Sequence, residues 1–210
     1  MTDWFRRKTW TEMDEDEFFK RLNRARKDGR AQYLKIQAIE LVETKDRGLL
    51  KVAEELLNKM LTEYPDDNFN KGSALFTLGN IYRLQENYGR AINYYKQALD
   101  VEMVYPNVRT QAYLNYPELI IITGGVDSFD AVEQILLERH PTLMFPIEKY
   151  KVNSFLSIIS KHKNQNDKAK YFADLAELSA NAETSGLRSH KYLGVVKDRD
   201  AWLDKRVKND

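Results

Sequence analysis

The sequence predicts an all-α fold of about nine or ten helices, arranged as consecutive helical hairpins. One observation behind this prediction is the composition, which is 42% hydrophobic and 31% charged, with five Pro and nine Gly in 210 residues. Abundant Lys, Glu, Leu and Ala are typical of helices with one exposed face. The other observation is a series of segments, each closed by capping or turn residues, in which small and large apolar residues recur at helical spacing.

The first predicted helix spans residues 11–28 and carries signals at both ends. Thr11 and Asp14 have the spacing of a capping box, and the acidic residues that follow complement the positive end of the helix dipole. Basic residues lie near the other end, before Gly29, which is the predicted terminator. The predicted buried stripe consists of Phe18, Phe19, Leu22 and Ala25.

Four predicted hairpins follow this first helix. Their helices span residues 31–45 and 48–64, two segments within 72–105, residues 108–122 and 128–140, and residues 146–163 and 167–183. Residues 66–71 are predicted to form the loop before the second hairpin. Pro117 falls inside the first helix of the third hairpin. Because proline lacks a backbone donor, we expect a kink or a break near Tyr116.

Residues 72–105 carry the most informative pattern of the chain. Small residues stand where two helix backbones would meet, and large residues stand where they would fill the remaining space. The positions are Leu75, Leu78, Gly79, Tyr82, Ala91, Tyr95 and Ala98. This pattern resembles the tetratricopeptide repeat, a 34-residue unit of two antiparallel helices. The resemblance implies a solenoid of stacked hairpins whose inner face binds proteins or peptides.

The resemblance also implies a division of the chain into three parts. A tetratricopeptide-like solenoid is expected over residues 31–183, with one clear unit at 72–105 and three approximate ones. Residues 1–30 are expected to form an N-terminal capping helix. Residues 184–210 are expected to form a C-terminal cap and tail, with a helix over 201–208. Caps are expected because each repeat buries its apolar face only against its neighbours.

Charge and cysteine content limit the function classes. The net charge is +1, so bulk charge favours neither nucleic acid nor a membrane surface as the partner. The absence of cysteine excludes disulfides and thiolate metal sites, and it fits a reducing compartment. The adjacent Arg6 and Arg7 have no apolar run behind them, and the apolar run 119–122 is far shorter than a membrane span. We therefore expect a cytoplasmic protein without a signal peptide or membrane segment.

The resemblance implies ligand-facing positions on the first helix of each hairpin. The predicted partner-binding residues are Lys35, Phe76, Asn80, Arg83, Arg109, Tyr113, Tyr116 and Lys151. These basic, amide and aromatic side chains suit a protein or peptide that offers carboxylates, because cations supply charge and rings supply flat contact area. Asn80 also resembles the asparagine with which carboxylate-clamp repeats hold the C-terminal carboxylate of a chaperone.

The sequence offers little support for catalysis. His140, His162 and His190 lie far apart and lack metal-ligand spacing. Gly124 and Gly125 lack the preceding strand and the third glycine of a dinucleotide loop, so a turn is predicted. Serine-centred nucleophile motifs are absent. We therefore predict a protein that is not an enzyme and has no cofactor and no metal site, and a helical enzyme is only the third hypothesis.

A nucleic-acid-binding alternative depends on the N-terminal segment. Arg6, Arg7 and Lys8 stand between Trp4 and Trp10, and basic residues interleaved with aromatic ones can bind phosphates and stack on bases. The acidic residues that follow directly would repel phosphates. The sequence therefore does not favour this alternative.

The predicted function is non-catalytic binding of a partner segment in the concave groove of the solenoid, with an acidic partner favoured. The alternative function is that of a stoichiometric inhibitor, such as a bacterial immunity protein that neutralises a toxin by occluding its active site. An adaptor usually binds short motifs weakly, whereas an inhibitor needs a tight and specific interface. Co-purification of a toxin would separate the two hypotheses.

Overall fold

The computed structural model describes residues 3–209, and within that range the regular elements are helices, with no strand. The α-helices are α1 (Glu12–Arg24), α2 (Lys27–Val42), α3 (Arg47–Glu63), α4 (Asn68–Leu84), α5 (Tyr88–Val104), α6 (Ala112–Thr123), α7 (Phe129–Arg139), α8 (Pro146–His162), α9 (Asn166–Ala180) and α10 (Ala201–Asn209). Two short 3-10 segments, Val126–Ser128 and His140–Thr142, flank α7. The predicted all-α class is confirmed.

The chain divides into two compact units, the first ending at Ala112 and the second beginning at Tyr113. In the first unit α2 packs along α3 and α4 packs along α5, while α4 also contacts α2 and α3. In the second unit α8 packs along α9, and it also contacts α7 and α10. The pairs α2–α3, α4–α5 and α8–α9 are three of the four predicted hairpins. The predicted third hairpin, α6 with α7, is not among the closely packed pairs of the described residues.

The first helix begins as predicted. Thr11 Oγ1 accepts the backbone N–H of Asp14 at 3.2 Å, and Asp14 Oδ2 accepts the N–H of Thr11 at 2.9 Å. The capping box is therefore present. Phe18 and Leu22 are buried, whereas Phe19 is only half-buried. The buried stripe is thus narrower than the sequence suggested.

The same helix ends earlier than predicted, at Arg24 rather than at residue 28. Ala25 is extended, and Gly29, the predicted terminator, lies inside the first turn of α2. The side chain of Arg30 explains this early end. It donates to the carbonyl oxygens of Asn23 and Ala25 at 2.6 and 3.1 Å, and so satisfies acceptors that a helix end leaves open.

The segment before α1 packs onto α1 and α2. Gln37, fully buried on α2, donates to the carbonyl oxygen of Arg7 at 2.8 Å and accepts the N–H of that residue at 3.0 Å. The ring of Trp4 has its centroid 5.3 Å from that of Phe18 and 5.0 Å from that of Tyr33. This segment therefore adds an aromatic layer to the core of the first unit.

The predicted repeat motif forms the core between α4 and α5. Its apolar members are at most 4% exposed: Leu75, Leu78, Tyr82, Ala91, Tyr95 and Ala98. The hairpin begins earlier than predicted, because residues 68–71 form the first turn of α4 instead of a loop. Asp67 caps this turn, and its Oδ1 accepts the N–H of Asn70 at 3.0 Å.

The turns that follow α2, α4, α6 and α8 share a residue with a left-handed backbone. In three turns this residue carries a side chain: Lys45, Glu86 and Asn164 each have a φ of 58°. In the turn after α6 it is Gly124, with a φ of 71°. These residues recur about every 40 positions, so one turn geometry is repeated along the chain.

Pro117 lies inside α6, which runs without a break from Ala112 to Thr123. Of the two outcomes expected for this proline, a break is therefore excluded. The N–H that proline lacks would have bonded to the carbonyl of Tyr113, in the first turn of the helix. The helix loses this single bond near its start and keeps the others beyond it.

The C-terminal tail is tied to α8 and α9. The hydroxyl of Tyr150 donates to Asp204 Oδ1 at 2.8 Å. Arg199 donates to both carboxylate oxygens of Glu177, at 2.9 and 2.6 Å, and to Asp204 Oδ2 at 2.7 Å. Leu203 of α10 is 1% exposed. The tail therefore closes the second unit through an apolar contact and a charged network.

Candidate protein-binding surface

Three of the predicted binding residues lie on one face of α4. Phe76, Asn80 and Arg83 have the i, i+4, i+7 spacing that aligns side chains along a helix, and each is half-buried. Tyr95 of α5 positions two of them. Its hydroxyl donates to Asn80 Oδ1 at 2.7 Å, and its ring centroid lies 5.7 Å from that of Phe76. The first unit therefore presents a ring, an amide and a guanidinium on one side of α4.

Lys35 lies on α2, the helix that packs beside α4. Its side chain is half-buried and forms no ion pair or hydrogen bond with any other residue of the range 3–209. Burial lowers the pKa of Lys35 below its usual value, and the nearby carboxylate of Asp67 partly offsets that effect. A partly dehydrated ammonium of this kind is suited to receive a carboxylate from a ligand.

Arg109 is not on a helix and lies in the loop between α5 and α6. Its side chain is exposed, and its Nε donates to the carbonyl of Pro106 at 3.2 Å. This bond is compatible with the guanidinium meeting a ligand, because it uses only one of the five guanidinium donors.

The second unit contains the three remaining predicted residues. The hydroxyl of Tyr113 donates to Glu148 Oε1 at 2.7 Å, and the guanidinium of Arg139 lies 5.8 Å from its ring centroid. Tyr116 is 6% exposed. Lys151 is half-buried and has no ion-pair partner among the described residues. Tyr113 and Lys151 are thus the accessible members of this set, and the binding role of all eight residues stays a prediction.

The sequence analysis missed an exposed apolar cluster, which consists of Phe69, Met103, Val104 and Tyr105. Their side chains are 70%, 74%, 68% and 41% exposed. Three of them, Phe69, Val104 and Tyr105, line a cleft of about 450 Å³ between the start of α4 and the end of α5. The signal was the apolar run 103–105, because consecutive helical residues cannot all face one core.

The basic residues considered for nucleic-acid binding are engaged in ion pairs. Arg6 Nη1 lies 2.8 Å from Glu40 Oε1, and Lys8 Nζ lies 2.9 Å from Glu40 Oε2. Arg7 pairs with Asp14. These contacts hold the N-terminal segment on α1 and α2. The three basic residues therefore have a structural role.

The structure also assigns roles to two histidines. The Nε2 atom of His140 lies 2.9 Å from Asn153 Oδ1, and the ring of His162 meets that of Phe129 edge-on at 5.1 Å. In the described range no group of three or more His, Cys, Asp or Glu residues could hold a metal ion. None of the helices described in this chain is long and apolar enough to span a bilayer.

Comparison with known proteins supports the class indicated by the hairpins. The tetratricopeptide repeat family model matches residues 72–102, which cover most of α4 and α5. No significant match was found among curated proteins or among solved structures. Tetratricopeptide repeats are typically non-catalytic interaction modules. The similarity over this segment therefore supports a protein–protein interaction module in general.

Proposed function

We propose that this protein is a non-catalytic interaction module that binds an acidic segment of a partner protein. In the first unit, the binding face comprises Lys35 of α2 together with Phe76, Asn80 and Arg83 of α4. The second unit has a predicted set of its own, Tyr113 and Lys151. The family's use of first helices to face a ligand supports this choice of residues.

The half-buried, unpaired ammonium of Lys35 is the observation that carries the proposal. Charged groups removed from water are destabilising unless they are paired, and the carboxylate of Asp67 offsets the burial of Lys35 only in part. A partner carboxylate would supply the missing charge-assisted hydrogen bond. The aromatic ring of Phe76 on α4 would supply apolar contact, which carries most of the affinity at protein interfaces.

A charge-reversal experiment tests this proposal. The full chain is immobilised, partners are captured from lysate of the native host, and bound proteins are quantified by mass spectrometry. Lys35→Glu should reduce capture of the specific partner by about tenfold or more. Lys51→Glu is the matched control. Lys51 is exposed on α3 and is not part of the proposed face, and its substitution makes the same change of charge. Equal capture by both variants would contradict the proposal.

The apolar cluster favours a second candidate function, that of a stoichiometric inhibitor such as an immunity protein. The four large exposed side chains present more apolar surface than the binding of a short acidic motif requires. Apolar anchors of this kind are typical of tight interfaces. An inhibitor would co-purify with one enzyme and abolish its activity at a one-to-one ratio. A set of several weakly bound partners would instead identify an adaptor.

A further inference from the structure

The second unit contains a cleft of about 450 Å³ that the predicted binding residues do not line. It lies where the C-terminal ends of α6 and α8 meet the start of α7 and one side of α10. Its size falls within the range of small-molecule sites, about 300–1,000 Å³. Its walls combine apolar and basic side chains.

The floor of the cleft is apolar. Ile121 of α6, Phe129 of α7 and Ile158 of α8 line it, and they are 1%, 6% and 5% exposed. Because these side chains are almost fully buried and therefore fixed by their surroundings, the floor is preformed. A ligand with an apolar body would therefore be accommodated without the cost of ordering the protein.

The rim of the cleft is basic. Lys161 and His162 come from the last turn of α8, and Arg206 comes from α10. None of the described residues that line the cleft is acidic. Lys161 forms no ion pair within the described part of the chain, whereas Lys163 pairs with Glu133 at 2.5 Å. The chain thus neutralises one of two nearby lysines and leaves the other facing the cleft.

Part of this positive charge complements the negative C-terminal end of α8. That effect does not explain Arg206, which another helix supplies. It also does not explain why the cations surround an apolar hollow. A ligand with a negative head and an apolar body uses both features.

We propose that this cleft binds a small organic acid, with its carboxylate at Lys161 and Arg206 and its apolar body over Ile158. A guanidinium and an ammonium both form charge-assisted hydrogen bonds with carboxylates. The cleft proposal is independent of the partner-binding face, because the two use different residues.

The proposed ligand chemistry is tested by titrating the full chain with 4-phenylbutyrate and monitoring binding by calorimetry or NMR chemical shifts. 4-Phenylbutanol has the same apolar body without the charge, and acetate has the charge without the body. We expect 4-phenylbutyrate to bind with a dissociation constant of about 1 mM or below, and each control compound to bind about tenfold more weakly or worse. Equal binding of the acid and the alcohol, or no saturation by the acid at about 10 mM, would overturn the proposal.

Two variants at one lining residue test the location. Val126 is 43% exposed at the edge of the cleft, so substitution there should leave the fold intact. Val126→Glu places a negative charge beside the ligand and should weaken 4-phenylbutyrate binding by about tenfold. Val126→Gln has nearly the same shape without the charge and should retain affinity. Unchanged affinity in the Glu variant would place the acid elsewhere and refute the assignment.

The basic rim is tested separately. Lys161→Ala should weaken binding of 4-phenylbutyrate by about tenfold, because it removes a direct charge partner. Lys170→Ala is the matched control, since Lys170 is exposed on α9 and does not line the cleft. Equal losses in the two variants would indicate a diffuse charge effect and would contradict the site.

Discussion

Gly79 of α4 lies directly against the ring of Tyr95 of α5. A Cβ atom at Gly79 would be 2.5 Å from Tyr95 Cδ1 and closer still to Cε1. Tyr95 is fully buried, and its hydroxyl is held by Asn80, so the ring cannot turn aside. The approach of the two helices in the central hairpin therefore depends on a residue without a side chain.

This contact predicts that replacing the glycine changes the free energy of unfolding in the direction opposite to the usual one. Gly→Ala in a helix normally stabilises by about 1 kcal/mol. Gly79→Ala should instead lower the free energy of unfolding by about 1–3 kcal/mol, because the methyl group overpacks the core, and Gly79→Leu should unfold the hairpin. Circular dichroism melts measure the effect.

Gly89 provides the control for this prediction. It lies in α5, and a Cβ there would meet nothing within 4 Å. Gly89→Ala should therefore leave the melting temperature unchanged or raise it. A Gly79→Ala protein as stable as the wild type would show that the close packing is unimportant.

The left-handed turn residues predict a stabilising substitution. Glu86 has a φ of 58°, a conformation that costs a residue with a side chain about 1–2 kcal/mol relative to ordinary helical backbone. Glu86→Gly should raise the free energy of unfolding by up to about 1 kcal/mol, measured by urea denaturation. Gln85→Gly, at the adjacent position with a φ of −87°, should lower it. A loss of stability in both variants would contradict the strain argument.

Arg83 and Arg109, two of the predicted binding residues, predict a separation of binding from folding. Arg83→Glu combined with Arg109→Glu should abolish capture of the partner, because both substitutions repel an acidic segment. Helical content and melting temperature should stay nearly unchanged. The double variant Lys51→Glu with Lys96→Glu makes the same charge change at two other exposed positions and should capture normally. Normal affinity in the Arg83 and Arg109 variant would refute the acidic-partner proposal.

The C-terminal network predicts a dependence of stability on pH. The two hydrogen bonds from Arg199 lower the pKa of Glu177 from 4.5 to about 2. A group whose pKa is lowered by folding contributes stability above its unfolded pKa, and this contribution is lost as the pH falls through the folded pKa. The stability contributed by Glu177 should therefore be lost as the pH falls from 4.5 to about 2.

Glu177→Gln tests this window. The substitution should lower the free energy of unfolding near neutral pH, and the difference from the wild type should shrink as the pH approaches about 2. Glu183→Gln is the control, because Glu183 is exposed and has no ion pair within the described residues. A difference that stays constant from neutral to acid pH would show that Arg199 does not act through this carboxylate.

The candidate face could be predicted only in part. Phe76, Asn80 and Arg83 share one side of α4 because of their spacing, which the sequence shows directly. The exposure of Tyr116, at 6%, and the dehydration of Lys35 depend on neighbouring helices. The exposed apolar cluster was missed because two separate helix ends have to meet before it exists.

Local patterns in the sequence were sufficient to determine the all-α class, the capping box of Thr11 and Asp14, and the small-to-large contact between α4 and α5. These features depend on residues within one or two turns of a helix, or on two helices joined by a short connection. The pairing of Arg6 and Lys8 with Glu40 and the cleft beside Arg206 were decided by the tertiary structure alone. Each requires residues that are distant in sequence to come together, and helical periodicity does not specify which distant side chains will meet.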